Sequence, residues 1–146
     1  MENASKALIM AGGVLVGVLV LSLMVYLFAD FGSTSAQINA QNKQNQLAQF
    51  NSKFAIYEGK EGLTIYDVIT VAGYAKENNK YYEGNESNQI IVYLQNKQIN
   101  DYTQEQYNQL IQTDRNTMTT ALPQYTCKIL SYNSDGRVKE IKFNKK

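Results

Sequence analysis

Histidine and tryptophan are absent from this 146-residue sequence, and cysteine and proline occur once each. Without histidine the chain lacks the usual general base, the side chain that titrates near neutral pH and the commonest metal ligand. A single cysteine excludes an intrachain disulfide and a thiolate zinc site. An excess of charge of one sign is missing too. Lys and Arg total 14 against 13 Asp and Glu, so the chain lacks the surplus of cations needed to displace counterions from nucleic acid, and no nucleic-acid partner is expected. There is no glycine-rich phosphate loop, no Asp-x-Asp pair and no Cys/His ligand spacing. A serine or cysteine nucleophile without histidine would need a lysine shifted by burial, and no nucleophile–base pair can be assembled from the pattern. The chain is therefore read as a non-enzyme with no catalytic residue, no metal site and no cofactor. Glu58, Glu61, Asp67, Asp101 and Glu105 lie near expected helix starts, where a carboxylate favours the positive end of the helix dipole.

What the sequence does contain is one long apolar run. From Ala7 to Ala29 no residue is charged and nearly all are apolar, with Lys6 and Asp30 at either end. At about 1.5 Å per residue such a helix is roughly 35 Å long, enough to cross a hydrocarbon core of about 30 Å. A soluble core helix this apolar would need a larger protein around it than residues 30–146 supply. The pattern predicts a short flank over 1–6 and a transmembrane helix over 7–29 in contact with membrane lipid. Tyr26 and Phe28 fall at headgroup depth. Lys6 and the α-amino group precede the span, whereas the first basic residue after it is Lys43. This asymmetry predicts a single-pass plasma-membrane protein with a cytoplasmic N-terminus and an exported C-terminal part. The alternative is a signal peptide cut after Thr34-Ser35-Ala36, although the run exceeds the roughly 7–15 apolar residues such peptides use. Gly13 and Gly17 form a G-x-x-x-G, and Ala7 and Ala11 lie one turn apart upstream. Small residues at this spacing let helices approach closely in lipid, and these four are the candidate association residues. A glycine-tolerant anchor would show the same spacing.

Asp30-Phe31-Gly32-Ser33 interrupts the run, and Thr34-x-x-Gln37 has the form of a capping box that starts or restarts a helix. Residues 30–58 are read as an amphipathic stalk in which Leu47, Phe50, Phe54 and Tyr57 fall on one helical stripe that packs on the domain. Gly59 and Gly62 break the chain, and 59–146 is read as a small exported domain. Thr64 caps a helix with Ile65, Val68, Ile69 and Ala72 on one face, ending near residues 77–79. Residues 78–88 read as a surface loop, and its acids fit no calcium-loop spacing. Gln89–Leu94 is a buried strand, and Thr103-x-x-Gln106 caps a helix presenting Tyr107, Leu110 and Ile111 before a polar stretch over 114–120. Tyr125–Tyr132 and Arg137–Phe143 flank an Asp135-Gly136 turn, a strong hairpin signal. Cys127 alternates with Tyr125 and Ile129 on one strand face and is expected to be a buried small hydrophobe. The expected fold class is α+β, a long N-terminal transmembrane helix continuing into the stalk and packed on a small antiparallel sheet of about three strands with a C-terminal β-hairpin.

An apolar N-terminal helix continuing into an amphipathic half that packs on a small sheet with a terminal hairpin resembles the layout of type IV pilin-like subunits. That resemblance implies apolar half-helices bundled in a filament core with globular domains outside. The pilin pattern of a short basic leader, with a glutamate a few positions into the mature helix, is not matched here. Glu2 is the nearby acid, and Met1 would stand as the mature first residue. The opening Glu2-Asn3-Ala4-Ser5-Lys6-Ala7-Leu8 and the later Phe50-Asn51-x-x-Phe54-x-x-Tyr57-Glu58-Gly59 are also similar to a group of small single-span proteins from Gram-positive anaerobes that have no assigned function.

Two functions follow as expectations. The first is a membrane-anchored, pilin-like structural subunit that associates with copies of itself into a surface filament or assembly. The second is a monomeric membrane-tethered binding module that presents Tyr81, Tyr82 and the basic hairpin residues Arg137, Lys139 and Lys142 to an anionic cell-wall polymer or to another protein. Charged protection of an exposed strand edge explains the basic hairpin equally well.

Overall fold

The computed structural model describes residues 2–117 and 123–146. The reading of Met1 as a mature first residue lies outside the described residues, as does the part of the polar stretch 114–120 that follows Thr117. The chain divides into two compact units, one reaching Asn45 and one spanning Gln46–Lys146. The division falls inside the stretch 30–58 that the sequence pattern marks as a stalk.

The first unit is helix alone, part of α1 (Glu2–Ala55). The large apolar side chains from Leu8 to Phe28 are 46% to 78% exposed, so nothing in this unit covers them. The helix is long and apolar enough to span a membrane. It does not restart at Thr34. Residues 30–37 are helical throughout, and the Ser33 hydroxyl donates back to the Asp30 carbonyl at 2.8 Å. A glycine inside a helix costs only about 1 kcal/mol, whereas a proline or a left-handed residue at this position would break it. Gly32 is neither, and the left-handed glycines are Gly59, Gly62, Gly84 and Gly136.

Among the described residues of the second unit the last turns of α1 join two further α-helices, α2 (Ile65–Tyr81) and α3 (Gln104–Asn116), and four strands: β1 (Ile91–Leu94), β2 (Lys97–Gln98), β3 (Tyr125–Tyr132) and β4 (Val138–Lys145). The sheet order is β2-β1-β4-β3. The expectation of an antiparallel sheet is corrected here, because β1 and β4 run parallel, with Val92 opposite Ile141 and Leu94 opposite Phe143. Hairpin signals fix only neighbours in sequence. The order follows from burial: Ile141 and Phe143 are fully enclosed, which places β4 in the middle of the sheet between its hairpin partner and β1. The fourth strand, β2, is formed by a tight turn at Gln95-Asn96, where Gln95 takes φ 56°. A non-glycine residue is strained there, and its N–H is held by the Phe143 carbonyl at 2.6 Å.

The core is filled from α1 (Phe54), from one face of α2 (Ile65, Val68, Val71, Ala72, Ala75), and from alternate strand positions including Val92, Cys127, Ile129, Ile141 and Phe143. Both expected helix starts carry their caps. The Asp67 carboxylate accepts from the Thr64 N–H at 2.8 Å, and the Gln106 side chain accepts from the Thr103 N–H at 2.8 Å. The second helix runs to Tyr81, so Asn78 and Asn79, expected in a loop, are helical. Glu58 does not cap a helix. It closes the outer edge of β3, where its carboxylate accepts from the Ile129 N–H at 3.0 Å, Leu63 accepts from the Tyr125 N–H at 2.8 Å, and Gly59 donates to the Cys127 carbonyl at 3.4 Å.

Two asparagines act as surrogate strand backbone. Asn51 donates to the Gly136 carbonyl at 2.8 Å and accepts from the Val138 N–H at 3.0 Å, and Asn79 makes the same pair of bonds to Ile90. Asp114, which the pattern places in a polar fade-out, is buried. It accepts from the Tyr125 hydroxyl at 2.7 Å and pairs with Lys145 at 3.0 Å.

Cys127 is buried and its thiol is pushed up to about 12, first by burial and then by the nearby Glu58 carboxylate. Tyr125 is raised above the ordinary phenol range, first by burial and then by its bond to Asp114. Both groups keep a proton in the fold that the unfolded chain releases, the thiol from about pH 8.5 and the phenol from about pH 10. The folded state thus binds more protons at alkaline pH, and stability falls as pH rises, by at most about 1.4 kcal/mol per pH unit for each group. The urea midpoint of the second unit, followed by tyrosine near-ultraviolet dichroism in detergent, is expected to fall between about pH 7.5 and 10.5. Cys127→Ala removes the part of that fall that begins near the thiol value, and an unchanged profile in the variant would contradict this account.

Candidate functional site

The apolar helix and one cleft of the second unit hold most of the residues that the sequence pattern singles out. On α1, a side chain added at Gly13 or Gly17 would meet nothing within 4 Å. Ala11 lies in a shallow groove between Met10, Val14, Leu15, Val18 and Leu19. At about 100° per residue, the Ala7–Ala11 pair and the Gly13–Gly17 pair point roughly 120° apart around the helix. They are two separate lines of small residues and not one.

The second unit brings stalk and loop residues together. Phe50, Lys53 and Phe54 of α1, Tyr74, Glu77, Asn78 and Tyr81 of α2, Tyr82 just beyond it, and Arg137 before β4 line a cleft of about 300 Å³. The helix spacing creates this wall. Phe50 and Phe54 lie one turn apart with rings 5.4 Å apart edge-on, and Phe54 meets Tyr74 at 6.4 Å. On α2, Tyr74, Asn78 and Tyr81 recur at i, i+4 and i+7, on the face away from Val68, Ala72 and Ala75. Tyr81 is 81% exposed, and its ring meets Tyr82 edge-on at 4.8 Å.

Arg137 organises the cleft. Its guanidinium carbon sits 3.8 Å from the centre of the Phe50 ring and 4.9 Å from that of Tyr82. One terminal nitrogen donates to the Tyr82 hydroxyl at 2.9 Å and the other to the Asn78 Oδ1 at 3.0 Å. Asn133 fixes the approach, since its Oδ1 accepts from the N–H of both Asp135 and Arg137 and shapes the turn in which Gly136 takes φ 79°. The side chain joins the end of α1, the end of α2 and the hairpin through cation–π stacking and charge-assisted bonds.

Of the five residues expected at the surface, Tyr81, Tyr82 and Arg137 line the cleft, with Arg137 largely occupied by internal partners. Lys139 and Lys142 do not. Lys142 lies opposite Lys128 across the hairpin and donates to Asn96 at 3.0 Å. Leu47 is half-buried and would touch a side chain added at Gly136, and Tyr57 is half-buried beside the core. Sequence reasoning missed Lys53, Tyr74, Glu77 and Asn78. The spacing of Tyr74 and Tyr81 on a helix that continues past residue 79 is the signal that exposes them.

The cleft carries no nucleophile with a base beside it, and among the described residues no three His, Cys, Asp or Glu side chains converge to hold a metal. Its chemistry is stacking against rings and attraction of negative charge. Arg137→Lys keeps the charge but loses the planar fork, and is expected to destabilise the second unit by about 1–3 kcal/mol. Tyr81→Ala is expected to stay within about 0.5 kcal/mol of the parent. Urea midpoints of the full chain in detergent check both, and equal effects of the two would refute the organising role of Arg137. No protein-family model matches the chain, and no curated protein or solved structure matches it.

Proposed function

We propose that the protein is a single-pass, membrane-anchored structural subunit that associates with copies of itself through its N-terminal helix, in the manner of a pilin-like assembly at the cell surface, with the second unit exported. The observation that carries this reading is the uncovered apolar surface of Leu8–Phe28 together with two pairs of small residues on separate lines of the helix. An inert anchor needs apolar length only. Small residues that admit a neighbouring backbone on two lines suit a helix with more than one neighbour, as in a bundle, rather than a simple pair. The stretch Gln37–Gln46 supports the same reading, because it is helical and exposed while interrupted by Asn39, Asn42 and Asn45, residues of poor helix propensity. A helix of that composition gains stability from packing against other chains.

Substituting leucine at Gly13 and Gly17 is expected to leave membrane insertion intact and to reduce oligomers trapped by chemical crosslinking in membranes by about tenfold or more, the equivalent of roughly 1.4 kcal/mol of helix contact. Ala7→Leu with Ala11→Leu tests the second line. Electron microscopy of material sheared from cells expressing the full chain reads assembly directly. Unchanged crosslinking in both double variants, with protein only in the membrane fraction, would refute the subunit reading.

A further inference from the structure

Arg137 is a half-buried cation. Among the described residues no carboxylate lies within ion-pair distance of it, and its Nε is enclosed with no hydrogen-bond partner. Its bonds to Tyr82 and Asn78 explain how it is positioned, but both acceptors are neutral and do not offset a charge drawn out of water. Lys53, on the same wall, likewise has no acidic partner among the described residues and stands 5.9 Å from the centre of the Tyr74 ring. Among the described residues Glu77 is the one carboxylate lining the cleft. Two cations against one acid leave the cleft a single positive charge in excess, bounded by aromatic rings.

We propose that this cleft binds a carboxylated sugar unit. The carboxylate lies against the free terminal N–H groups of Arg137 and the Lys53 ammonium, and the C–H face of the ring packs on Tyr81 and Tyr74. Glu77 accepts from the sugar hydroxyls, a role it has no means to fill toward a second acid, and this disfavours a polyanionic peptide. The one-charge excess matches a monoanion. The proposal is independent of helix association and adds to the subunit reading a surface that takes hold of an acidic glycan.

The test uses the full chain in detergent micelles, with the arginine Nε–H resonances as reporters. Only Arg115 and Arg137 contribute, and Arg115→Lys assigns them. Glucuronate is expected to shift the Arg137 signal saturably with a Kd in about the millimolar range, while glucose at the same concentration leaves it in place. Tyr81→Ala and Lys53→Gln, both at the rim, are expected to weaken binding about fivefold or more with an unchanged fold, and added salt weakens it further. An oligomer of the same acid separates a polymer from a free monomer as the source. Absence of saturation at about 50 mM glucuronate, an equal response to glucose, or undiminished binding in both rim variants would overturn the proposal. A response confined to glycerol 3-phosphate would overturn the sugar assignment by showing a bare anion site.

Discussion

The second unit depends on the end of the N-terminal helix being part of its core. Phe54 is 1% exposed, and Asn51, one turn before it, occupies the two backbone groups at which β4 begins. A side-chain amide that donates to one peptide carbonyl and accepts from the next free N–H reproduces a strand neighbour, so the helix meets the hairpin as an extra strand would. Without it, Gly136 and Val138 would be left with backbone groups that burial makes costly. The same turn of helix carries Phe50, on which Arg137 stacks, so the aromatic cleft and the core share one support.

Much of this was legible in the sequence, for identifiable reasons. The apolar run over 7–29, the Thr64 and Thr103 caps and the Asp135-Gly136 hairpin are signals contained within a few residues, and each is present. The parallel pairing of β1 with β4 was not legible, because it links residues 91–94 to 140–143 and no local pattern encodes which strands become neighbours. Strand β2 escaped because its turn uses Gln95 in a left-handed conformation that glycine or asparagine normally marks. Asp114 was misread for a related reason. Its burial is made acceptable by Tyr125 and Lys145, partners distant in sequence.

The cleft shows the same division. Tyr81, Tyr82 and Arg137 stand out in the sequence as exposed aromatic and basic residues, but only folding reveals that Arg137 faces inward and that Phe50 and Lys53 share its pocket. A helix read as ending before residue 78 puts Asn78 and Asn79 in a loop and removes the helical spacing that ties Tyr74 to Tyr81. A polar dipeptide such as Asn-Asn carries the same local signal in a helix's final turn as in a loop. What keeps it helical here is tertiary: Asn79 clamps Ile90 and Asn78 accepts from Arg137.

The connection between the first two helices closes the outer edge of β3 with Glu58, Gly59 and Leu63, all from the same polypeptide. A sheet sealed by its own chain offers that edge to no incoming strand. This side of the second unit is therefore finished by one polypeptide. No donated strand is needed to complete it, and none can be added there without first displacing the chain's own connection.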